Sequence, residues 1–250
     1  MNILILFDDT KKFCMLMSPV IQLLRREFPN GSIEVSSGCD ACRKLLSHVP
    51  GITSVTQQAD MLEYDSVYCF DDRLSNLHRC SLIKSKEYTG YTLNGSMIDF
   101  TNMSVRSFFN SYCLKKQSKK NLLQILFDCF GLKWSGEGFR VNYKPKSRSK
   151  EGRNGAAISN NNLRHLVKSN IFNNGNKLWH IPIRQDPLKC IDEVNKCSNI
   201  VTDNIFYAFI GSLLRKNIIF LVEDGMTFSP DVFGDIFIQH VSSQVLYAQD

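Results

Sequence analysis

Apolar and polar positions follow one another along this chain in blocks that predict alternating strands and helices. The segment Asn2–Phe7, NILILF, is apolar almost throughout, which is typical of a strand buried on both faces of a parallel sheet. Residues 19–28, PVIQLLRREF, carry apolar side chains at helical spacing, and Ser18-Pro19 indicates where this helix begins. The sequence PNG at 29–31 indicates where it ends.

The same alternation continues through the chain and predicts a doubly wound α/β fold. It is interrupted at 135–153, SGEGFRVNYKPKSRSKEGR, a stretch rich in glycine, serine and basic residues. We therefore predict an N-terminal α/β domain over 1–134, a linker or mobile basic loop over 135–153 and a C-terminal α/β domain over 154–250. The predicted architecture is two Rossmann-like halves with doubly wound parallel sheets, of which the second is reduced.

Composition narrows the class of protein. The chain has 250 residues, 43% of them hydrophobic and 22% charged, as in an ordinary soluble globular protein. No apolar run reaches the roughly 18 residues that span a bilayer, and Asp8 and Asp9 interrupt the first one, so we predict a cytoplasmic protein. The nine cysteines are an odd number and several lie within apolar patterns, which favours reduced, mostly buried thiols.

The formal net charge of +6 permits an anionic partner without requiring one. Two basic patches could give weak peripheral contact with a membrane or with nucleic acid, although few aromatic residues accompany them. The alternative is a solvated, flexible basic surface. The residues of the patches are Lys115, Lys116, Lys119, Lys120, Lys144, Lys146, Arg148 and Lys150.

Parallel sheets bind ligands where the carboxyl ends of strands lead into helices. This rule selects the loop after the first strand, where Asp8 or Asp9 could act as a catalytic base toward an acceptor hydroxyl. Thr10, Lys11 and Lys12 would complete an acceptor-side loop. The alternative is that Asp8, Asp9 and Thr10 only end a strand and cap a helix.

The rule also selects two loops of the second half as candidates for ligand binding. Thr202, Asp203 and Asn204 precede a helix whose N–H groups could hold a phosphate, and they are equally typical of an N-cap. Glu223 and Asp224 could accept hydrogen bonds from a ribose or sugar hydroxyl, or form a polar turn. Cations for a bound phosphate or diphosphate group could come from Lys11, Lys12, Arg153, Arg164 or Lys168.

The pair Cys39-x-x-Cys42 is the one arrangement that suggests a metal or redox site. It lacks a second close pair, and His78 and Cys80 are the residues that could complete a zinc site. A redox dithiol at a helix N-terminus is a second interpretation, and an ordinary helix is the favoured one. We therefore predict no metal and no cofactor.

Four stretches follow the motif order of a known family. They are NILILF…SPVIQLLRREFPNGSIEV, CRKLLSHVPGITSV, YDSVYCFDD…GY and CIDEVNKCSNIVTDNIFYAFIGSLLRKNIIFLV. Together they resemble glycosyltransferase family 9, the heptosyltransferases, which have the two-domain GT-B fold. The resemblance spans most of the chain, as pattern more than as identity.

The resemblance implies that a sugar moves from a nucleotide-activated donor to an acceptor such as a lipopolysaccharide-type glycan or another polyhydroxyl compound. It makes 1–134 the acceptor-side domain and 154–250 the donor-side domain, and the candidate cations named above would then assist the departing diphosphate. In the family, the first loop carries a Gly-Asp pair whose aspartate is the base, and the donor side carries Asp-Thr-Gly. Here these motifs fall on Lys12-Phe13 and on Asn204-Ile205-Phe206. The departures keep open an alternative, a catalytically inactive glycosyltransferase-like binding or scaffold protein that engages an anionic macromolecule through its basic patches.

Overall fold

The structure, a computed structural model, describes residues 1–59, 63–114, 120–160, 178–223 and 244–248. The chain divides into two compact units, unit 1 over Met1–Asn142 and unit 2 over Tyr143–Asp250. The boundary between the units falls inside the stretch 135–153.

The strands of unit 1 are β1 (Asn2–Phe7), β2 (Ser32–Ser36), β3 (Ser54–Thr56), β4 (Glu63–Phe70), β5 (Lys84–Asn94) and β6 (Met97–Phe100). They form a sheet of order β3-β2-β1-β4-β5-β6, parallel except where β6 runs antiparallel to β5. Because β1 lies between β2 and β4, the strand order reverses direction beside β1. The predicted doubly wound α/β fold is confirmed in this unit.

The helices of unit 1 are α1 (Lys11–Glu27), α2 (Asp40–Leu46), α3 (Leu74–Cys80), α4 (Met103–Tyr112) and α5 (Leu122–Cys129). Helix α1 begins at Lys11, so the prediction that it begins near Ser18-Pro19 is wrong. The Thr10 side chain caps it, accepting a hydrogen bond from the Phe13 N–H at 3.4 Å. Pro19 lies inside the helix at the cost of a backbone hydrogen bond, and the burial of an apolar face on both sides of it offsets that cost.

An aromatic cluster fixes α1 and α4 to the sheet. The Phe13 ring stacks on Phe7 with centroids 4.9 Å apart and meets Phe108 and Tyr112 edge-on, at 5.6 and 5.1 Å. Phe70 of β4 packs edge-on against Phe108 at 5.5 Å. Phe13, which stands where the family's catalytic aspartate falls, is therefore a core residue of unit 1.

The β5–β6 hairpin was not predicted in full. EYTGYTLN belongs to β5, which ends at Asn94, and the partner strand β6, MIDF, is too short and too mixed in polarity to be predicted alone. Gly90 lets β5 lie close against β4, since a Cβ there would lie 2.0 Å from the Cys69 carbonyl oxygen and φ is +146°.

The strands of unit 2 are β7 (Asn154–Ala157), β8 (Leu178–His180), β9 (Asn199–Thr202), β10 (Asn217–Glu223) and β11 (Gln244–Ala248). They are parallel, in the order β8-β7-β9-β10-β11, so the order reverses between β7 and β9. The described helices are α6 (Pro187–Asn195) and α7 (Ile205–Leu213). Asp186 caps α6 and Pro187 is its first residue.

The stretch 135–153 has no regular secondary structure before β7, but hydrogen bonds tie it to each unit. In unit 1, the Ser18 hydroxyl donates to the Arg140 carbonyl at 2.7 Å and accepts from its N–H at 2.9 Å. In unit 2, the Asp192 carboxylate accepts hydrogen bonds from the Tyr143 hydroxyl and the Lys146 N–H at 3.0 and 2.8 Å. The part on each side of the boundary is thus attached to its own unit.

Within the part of the chain that the structure describes, no helix is both long and apolar enough to cross a membrane. All nine cysteines are free thiols, and all but Cys39 and Cys113 are buried.

Candidate functional site

The loops after β1, β2 and β4 meet at the carboxyl edge of the unit 1 sheet, where the strand order reverses. A cavity of about 290 Å³ opens there. Asp9, Ser37, Asp71 and Arg73 form its polar wall, and Leu6 contributes to its apolar floor. This is the position at which open α/β sheets bind ligands.

Asp9 is held between two loops. Its Oδ1 accepts a hydrogen bond from the Ser37 hydroxyl at 2.6 Å, and its Oδ2 accepts one from the Arg73 guanidinium at 2.6 Å. Burial alone would raise the pKa of Asp9, but the hydrogen bonds from Ser37 and Arg73 and the guanidinium charge lower it below its ordinary value. Asp9 is therefore a firmly ionised, well-oriented carboxylate.

Asp71 is a buried carboxylate that, like Asp9, bonds to Arg73. It was not among the candidate residues selected from the sequence. Its carboxylate accepts hydrogen bonds from the Arg73 N–H and Nε at 3.0 and 2.8 Å, from a second guanidinium nitrogen, and from the Asn76 amide at 2.6 Å. Arg73 thus bridges Asp9 and Asp71 across two neighbouring strand ends. The sequence does contain a pattern that could have identified Asp71. In CFDD, an acidic pair directly follows a buried strand, just as Asp8 and Asp9 follow β1.

Asp8 has a different environment. Its Oδ1 accepts a hydrogen bond from the Thr10 hydroxyl at 2.6 Å, and its Oδ2 accepts one from the Tyr112 hydroxyl at 3.2 Å. Burial raises the pKa of Asp8 above its ordinary value, although the Thr10 hydrogen bond, the Lys12 charge and the Tyr112 hydrogen bond oppose the rise. A carboxylate with a raised pKa binds a proton more readily, as a general base must.

The acceptor-side loop predicted over Thr10, Lys11 and Lys12 is the start of α1 in the structure. Thr10 is its N-cap and the two lysines form its first turn, so the prediction that they lie in a loop is wrong. The Lys12 ammonium lies 4.5 Å from the centroid of the Tyr112 ring, a cation–π contact beside Asp8. Thr10 therefore caps the helix, which is the alternative considered from the sequence. The same hydroxyl also orients Asp8 by its hydrogen bond.

In unit 2, the loops after β7 and β9 are joined by Asp203. Its carboxylate accepts hydrogen bonds from the Ser159 N–H at 2.8 Å and from the Asn160 N–H at 2.7 Å. Thr202 is fully buried and donates to the Ala157 carbonyl oxygen at 2.6 Å. These two predicted donor-side residues hold the reversal point of the sheet together.

Asn204 caps α7, where its side-chain oxygen accepts from the Phe206 N–H at 3.0 Å. Phe206 itself is buried. The loop after β8 is fixed by Tyr207 of the same helix, whose hydroxyl donates to the Pro182 carbonyl at 3.0 Å and accepts from the Arg184 N–H at 3.1 Å. This loop brings the Arg184 backbone to the same edge of the sheet as Asn204, and the Arg184 guanidinium lies 3.9 Å from the Glu193 carboxylate of α6. Arg184 was not among the candidates selected from the sequence.

Arg153 does not lie at the carboxyl edge of the unit 2 sheet. It precedes β7, at the amino end of the strand, and its guanidinium lies 3.6 Å from the centroid of the Trp179 ring. The prediction that it could assist a departing diphosphate is therefore wrong. Arg164, Lys168 and Asp224 lie outside the described residues, as does the side chain of Glu223, the last residue of β10.

The basic patches are described in part. Lys120 is exposed and forms an ion pair with Asp128 at 2.6 Å. The other described members are exposed on unit 2, and they are Lys144, Lys146, Arg148 and Lys150. Lys115, Lys116 and Lys119 lie outside the described residues.

Cys39 and Cys42 lie on either side of the start of α2, Cys39 as its N-cap residue. Among the described residues, no group of three or more His, Cys, Asp and Glu side chains could hold a metal ion. The residues that were candidates to complete a zinc site, His78 and Cys80, end α3, and the Cys80 thiol lies 3.3 Å from that of Cys69.

Comparisons with known proteins identify the fold. No family model matches the sequence, and no curated protein matches it. Among solved structures, the chain is similar to a glycosyl transferase of family 9 from Veillonella parvula, with a TM-score of 0.66 and 10% identity, over 99% of this chain and 86% of that one.

It is also similar to the E. coli ADP-heptose lps heptosyltransferase II, with a TM-score of 0.63 and 11% identity, over 98% of this chain and 90% of that one. The E. coli heptosyltransferase WaaC with ADP matches with a TM-score of 0.60 and 8% identity, over 100% of this chain and 94% of that one. At these identities the likeness establishes the fold. The resemblance read from the motifs is thus confirmed at that level, and the chain has the two-domain GT-B fold of glycosyltransferase family 9 and the heptosyltransferases.

Proposed function

We propose that the protein is a glycosyltransferase that moves a sugar from a nucleotide-linked donor to a hydroxyl group of an acceptor. One observation carries the proposal beyond the fold. Asp8, which directly precedes the cavity residue Asp9 at the reversal point of unit 1, is a part-buried carboxylate oriented by the hydroxyls of Thr10 and Tyr112, and burial raises its pKa.

Asp8 is a better candidate for the base than its neighbour Asp9. The base must take the proton of the acceptor hydroxyl while that oxygen attacks the anomeric carbon, and the nucleoside diphosphate leaves with the bonding electrons. Asp9 is paired with the Arg73 guanidinium, which lowers its proton affinity, whereas the partners of Asp8 are neutral hydroxyls. Asp9 and Arg73 would then shape the acceptor side.

We assign the donor to unit 2, because ligands of parallel sheets bind at the carboxyl ends of the strands, where the loops after β7 and β9 meet. A diphosphate could be held by the N–H groups at the start of α7 and by the Arg184 cation. WaaC, one of the similar proteins, has been obtained with ADP and with a fluorinated ADP-heptose, so ADP-linked sugars are the first donors to test.

The test is the release of ADP from ADP-linked sugars, with and without candidate polyhydroxyl acceptors. Asp8→Asn should lower turnover by about 10² to 10⁴-fold while donor affinity, measured by calorimetry, stays unchanged. Asp99→Asn is the matched control, because Asp99 is an exposed aspartate of β6 far along the sheet from β1. Full turnover in the Asp8→Asn variant would contradict the assignment of the base.

A second candidate function is a binding protein with this fold and no turnover. The observation that favours it is that Thr202 and Asp203 are engaged in holding unit 2 together, in a stretch without the family's glycine. Binding of ADP-sugar at micromolar affinity without ADP release from any acceptor mixture would favour this candidate over the enzyme.

A further inference from the structure

Four cations stand at every second position in the segment that leads to β7. We call them the cationic row, which consists of Lys144, Lys146, Arg148 and Lys150. The residues between them are a proline and two serines, and the proline favours extended backbone at the residue before it. Two residues of chain span at most about 7 Å, so successive cations of the row are close neighbours.

The residues between the cations hold this segment against unit 2. The Ser147 hydroxyl donates to the Asp192 carbonyl oxygen at 2.5 Å, and the Asn195 amide donates to the Ser147 carbonyl oxygen at 2.7 Å. The Lys216 ammonium donates to the Ser149 hydroxyl at 3.2 Å. Because neutral side chains and backbone groups make these contacts, the segment is fixed beside α6 while the side chains of the cationic row are exposed.

The charges of the cationic row are not taken up by ion pairs. None of its four members forms an ion pair with a residue that the structure describes. By contrast, the exposed Lys120 of the other basic patch pairs with Asp128. Asp192, which lies behind the row, is bonded to the Tyr143 hydroxyl and to a backbone N–H. Four positive charges therefore face solvent together, as on surfaces that contact phosphate groups.

An exposed aromatic ring lies close to the end of the cationic row. Arg153 follows Lys150 by three residues, at most about 10 Å of chain, and its guanidinium lies 3.6 Å from the centroid of the Trp179 ring. Trp179 belongs to β8, an edge strand of the unit 2 sheet, and is 41% exposed. Proteins that bind single-stranded nucleic acid combine a positive track for the backbone with aromatic side chains on which bases stack. The row and the Trp179 ring supply these two kinds of contact.

These features favour nucleic acid over the other partner considered from the sequence, an anionic membrane. Surfaces that lie in a membrane interface place apolar side chains beside their cations, usually on one face of an amphipathic helix. The cationic row stands on a segment without regular secondary structure, and the residues between its members are serines and a proline. Cations in sequence along a chain suit a linear polyanion, whereas mobile lipid headgroups require no such order.

We propose that the cationic row and Trp179 form a binding site for single-stranded nucleic acid, in which phosphates contact the row and a base stacks on the ring. The site is separate from the proposed transfer of a sugar. Lys150 and Arg153 precede β7, at the amino end of the strand, whereas the donor is assigned to the carboxyl end, where α7 begins.

The experiment is fluorescence anisotropy of labelled oligo(dT) and oligo(U) of about 12 nucleotides, titrated with the full chain at several salt concentrations. We expect micromolar affinity at low salt for at least one of them, and the tighter of the two identifies DNA or RNA. The logarithm of the binding constant should fall with the logarithm of the salt concentration with a slope of about −3, because four contacts to a single strand contribute about −0.7 each.

A variant of the cationic row should lose this binding. Changing all four members to glutamine should weaken it at least tenfold and flatten the salt dependence, and the substitutions are Lys144→Gln, Lys146→Gln, Arg148→Gln and Lys150→Gln. The matched control removes four exposed cations of unit 1 and should change affinity less than twofold, with the substitutions Lys44→Gln, Lys84→Gln, Arg106→Gln and Lys133→Gln. Trp179→Ala should weaken binding at least fivefold, and Trp179→Phe, which keeps an aromatic ring, should restore most of it. Melting temperatures check that each variant is folded.

Equal weakening by the row variant and by its control would overturn the proposal, as would absence of binding to both oligonucleotides. Inorganic polyphosphate that binds as tightly as the oligonucleotides would overturn it too, because charge alone would then explain the contact. Binding to phosphatidylserine vesicles without binding to either oligonucleotide would assign the row to a membrane surface instead. ADP release from ADP-sugars should be the same in the row variant as in the wild type, so the proposed glycosyltransferase function is tested independently.

Discussion

Asp8 and Asp9 are neighbours in the chain, and their surroundings affect proton binding in opposite directions. Burial raises the pKa of Asp8 above its ordinary value of 3.8, so the folded protein binds a proton there more readily than the unfolded chain does. Stability due to Asp8 therefore falls as pH rises from that ordinary value through the raised one. Asp9 has a lowered pKa, so it contributes stability above pH 3.8, which is lost as pH falls through the lowered value.

The two asparagine variants should accordingly behave differently in thermal denaturation. At pH 7 Asp8→Asn should raise the melting temperature, because it removes a charge that is costly to bury. Asp9→Asn should lower it by an amount on the order of 5 °C, because it removes charge-assisted hydrogen bonds to Arg73. Both differences from the wild type should shrink below about pH 4, where aspartates become protonated. Differences of the same sign in both variants at pH 7 would refute these assignments.

Arg73 is the residue whose loss should disturb the site most. Arg73→Met leaves Asp71 buried without its guanidinium partner and should reduce the free energy of unfolding by about 2 kcal/mol. This is less than the loss of a fully buried pair causes, because the Arg73 side chain is 44% exposed and partly screened by solvent. Urea denaturation gives the value, and Arg106→Met, an exposed arginine of α4, is the control. A loss no larger than the control's would show that Asn76 and backbone groups suffice for Asp71.

In helix α1, one residue both caps the helix and contacts the candidate site. Thr10 closes the N-terminus of the helix and donates its hydroxyl hydrogen to Asp8. Thr10→Ala should cost about 1 kcal/mol of stability through the lost cap and should also change the pH dependence of turnover, since Asp8 loses a hydrogen bond. Thr10→Ser keeps the hydroxyl and should restore both properties. A change in stability alone would mean that the hydroxyl only caps the helix.

The same helix marks the limit of what could be predicted from the sequence. The apolar run was sufficient for β1, and the helical spacing and PNG were sufficient for the second half and the end of α1, because burial on one or both faces leaves a direct pattern in the chain. The start of α1 was misplaced, since Pro19 is a start signal in most helices and only tertiary burial tolerates it inside one. For β6 there was no sufficient pattern, because four residues of mixed polarity obtain their structure from β5.

Site residues could be predicted from the sequence where they lie in a single loop. They could not be predicted where residues from two different loops come together. Asp8 and Asp9 follow β1 directly and were found. Asp71 and Arg73 become partners of Asp9 only through the strand order, which places β4 beside β1. In unit 2, the engagement of Thr202 and Asp203 with the loop after β7 likewise depends on the pairing of β7 with β9.

At the scale of the whole molecule, unit 1 should fold by itself. Its sheet is covered by α1 and α4 through the aromatic cluster, and the end of its chain is bonded internally, where the Asn142 N–H donates to the His48 carbonyl at 2.6 Å. A fragment of residues 1–142 should therefore unfold cooperatively and give dispersed NMR signals. A fragment ending at residue 134 is the comparison, because it lacks the Arg140 contacts to Ser18 and should be less stable. Equal stability of the two fragments would contradict this account of the segment 135–142.

The ends of the strand order in unit 1 are short, with three residues in β3 and four in β6. A sheet edge is a row of unpaired backbone donors and acceptors, and a long edge is a template on which another chain can add a strand. β6 covers only Tyr91–Asn94 of β5, and the preceding part of β5 carries Lys84, Lys86 and Glu87, whose charges oppose the addition of another strand. Unit 1 should accordingly resist β-type aggregation, and it should remain monomeric at the high concentrations that NMR titrations require.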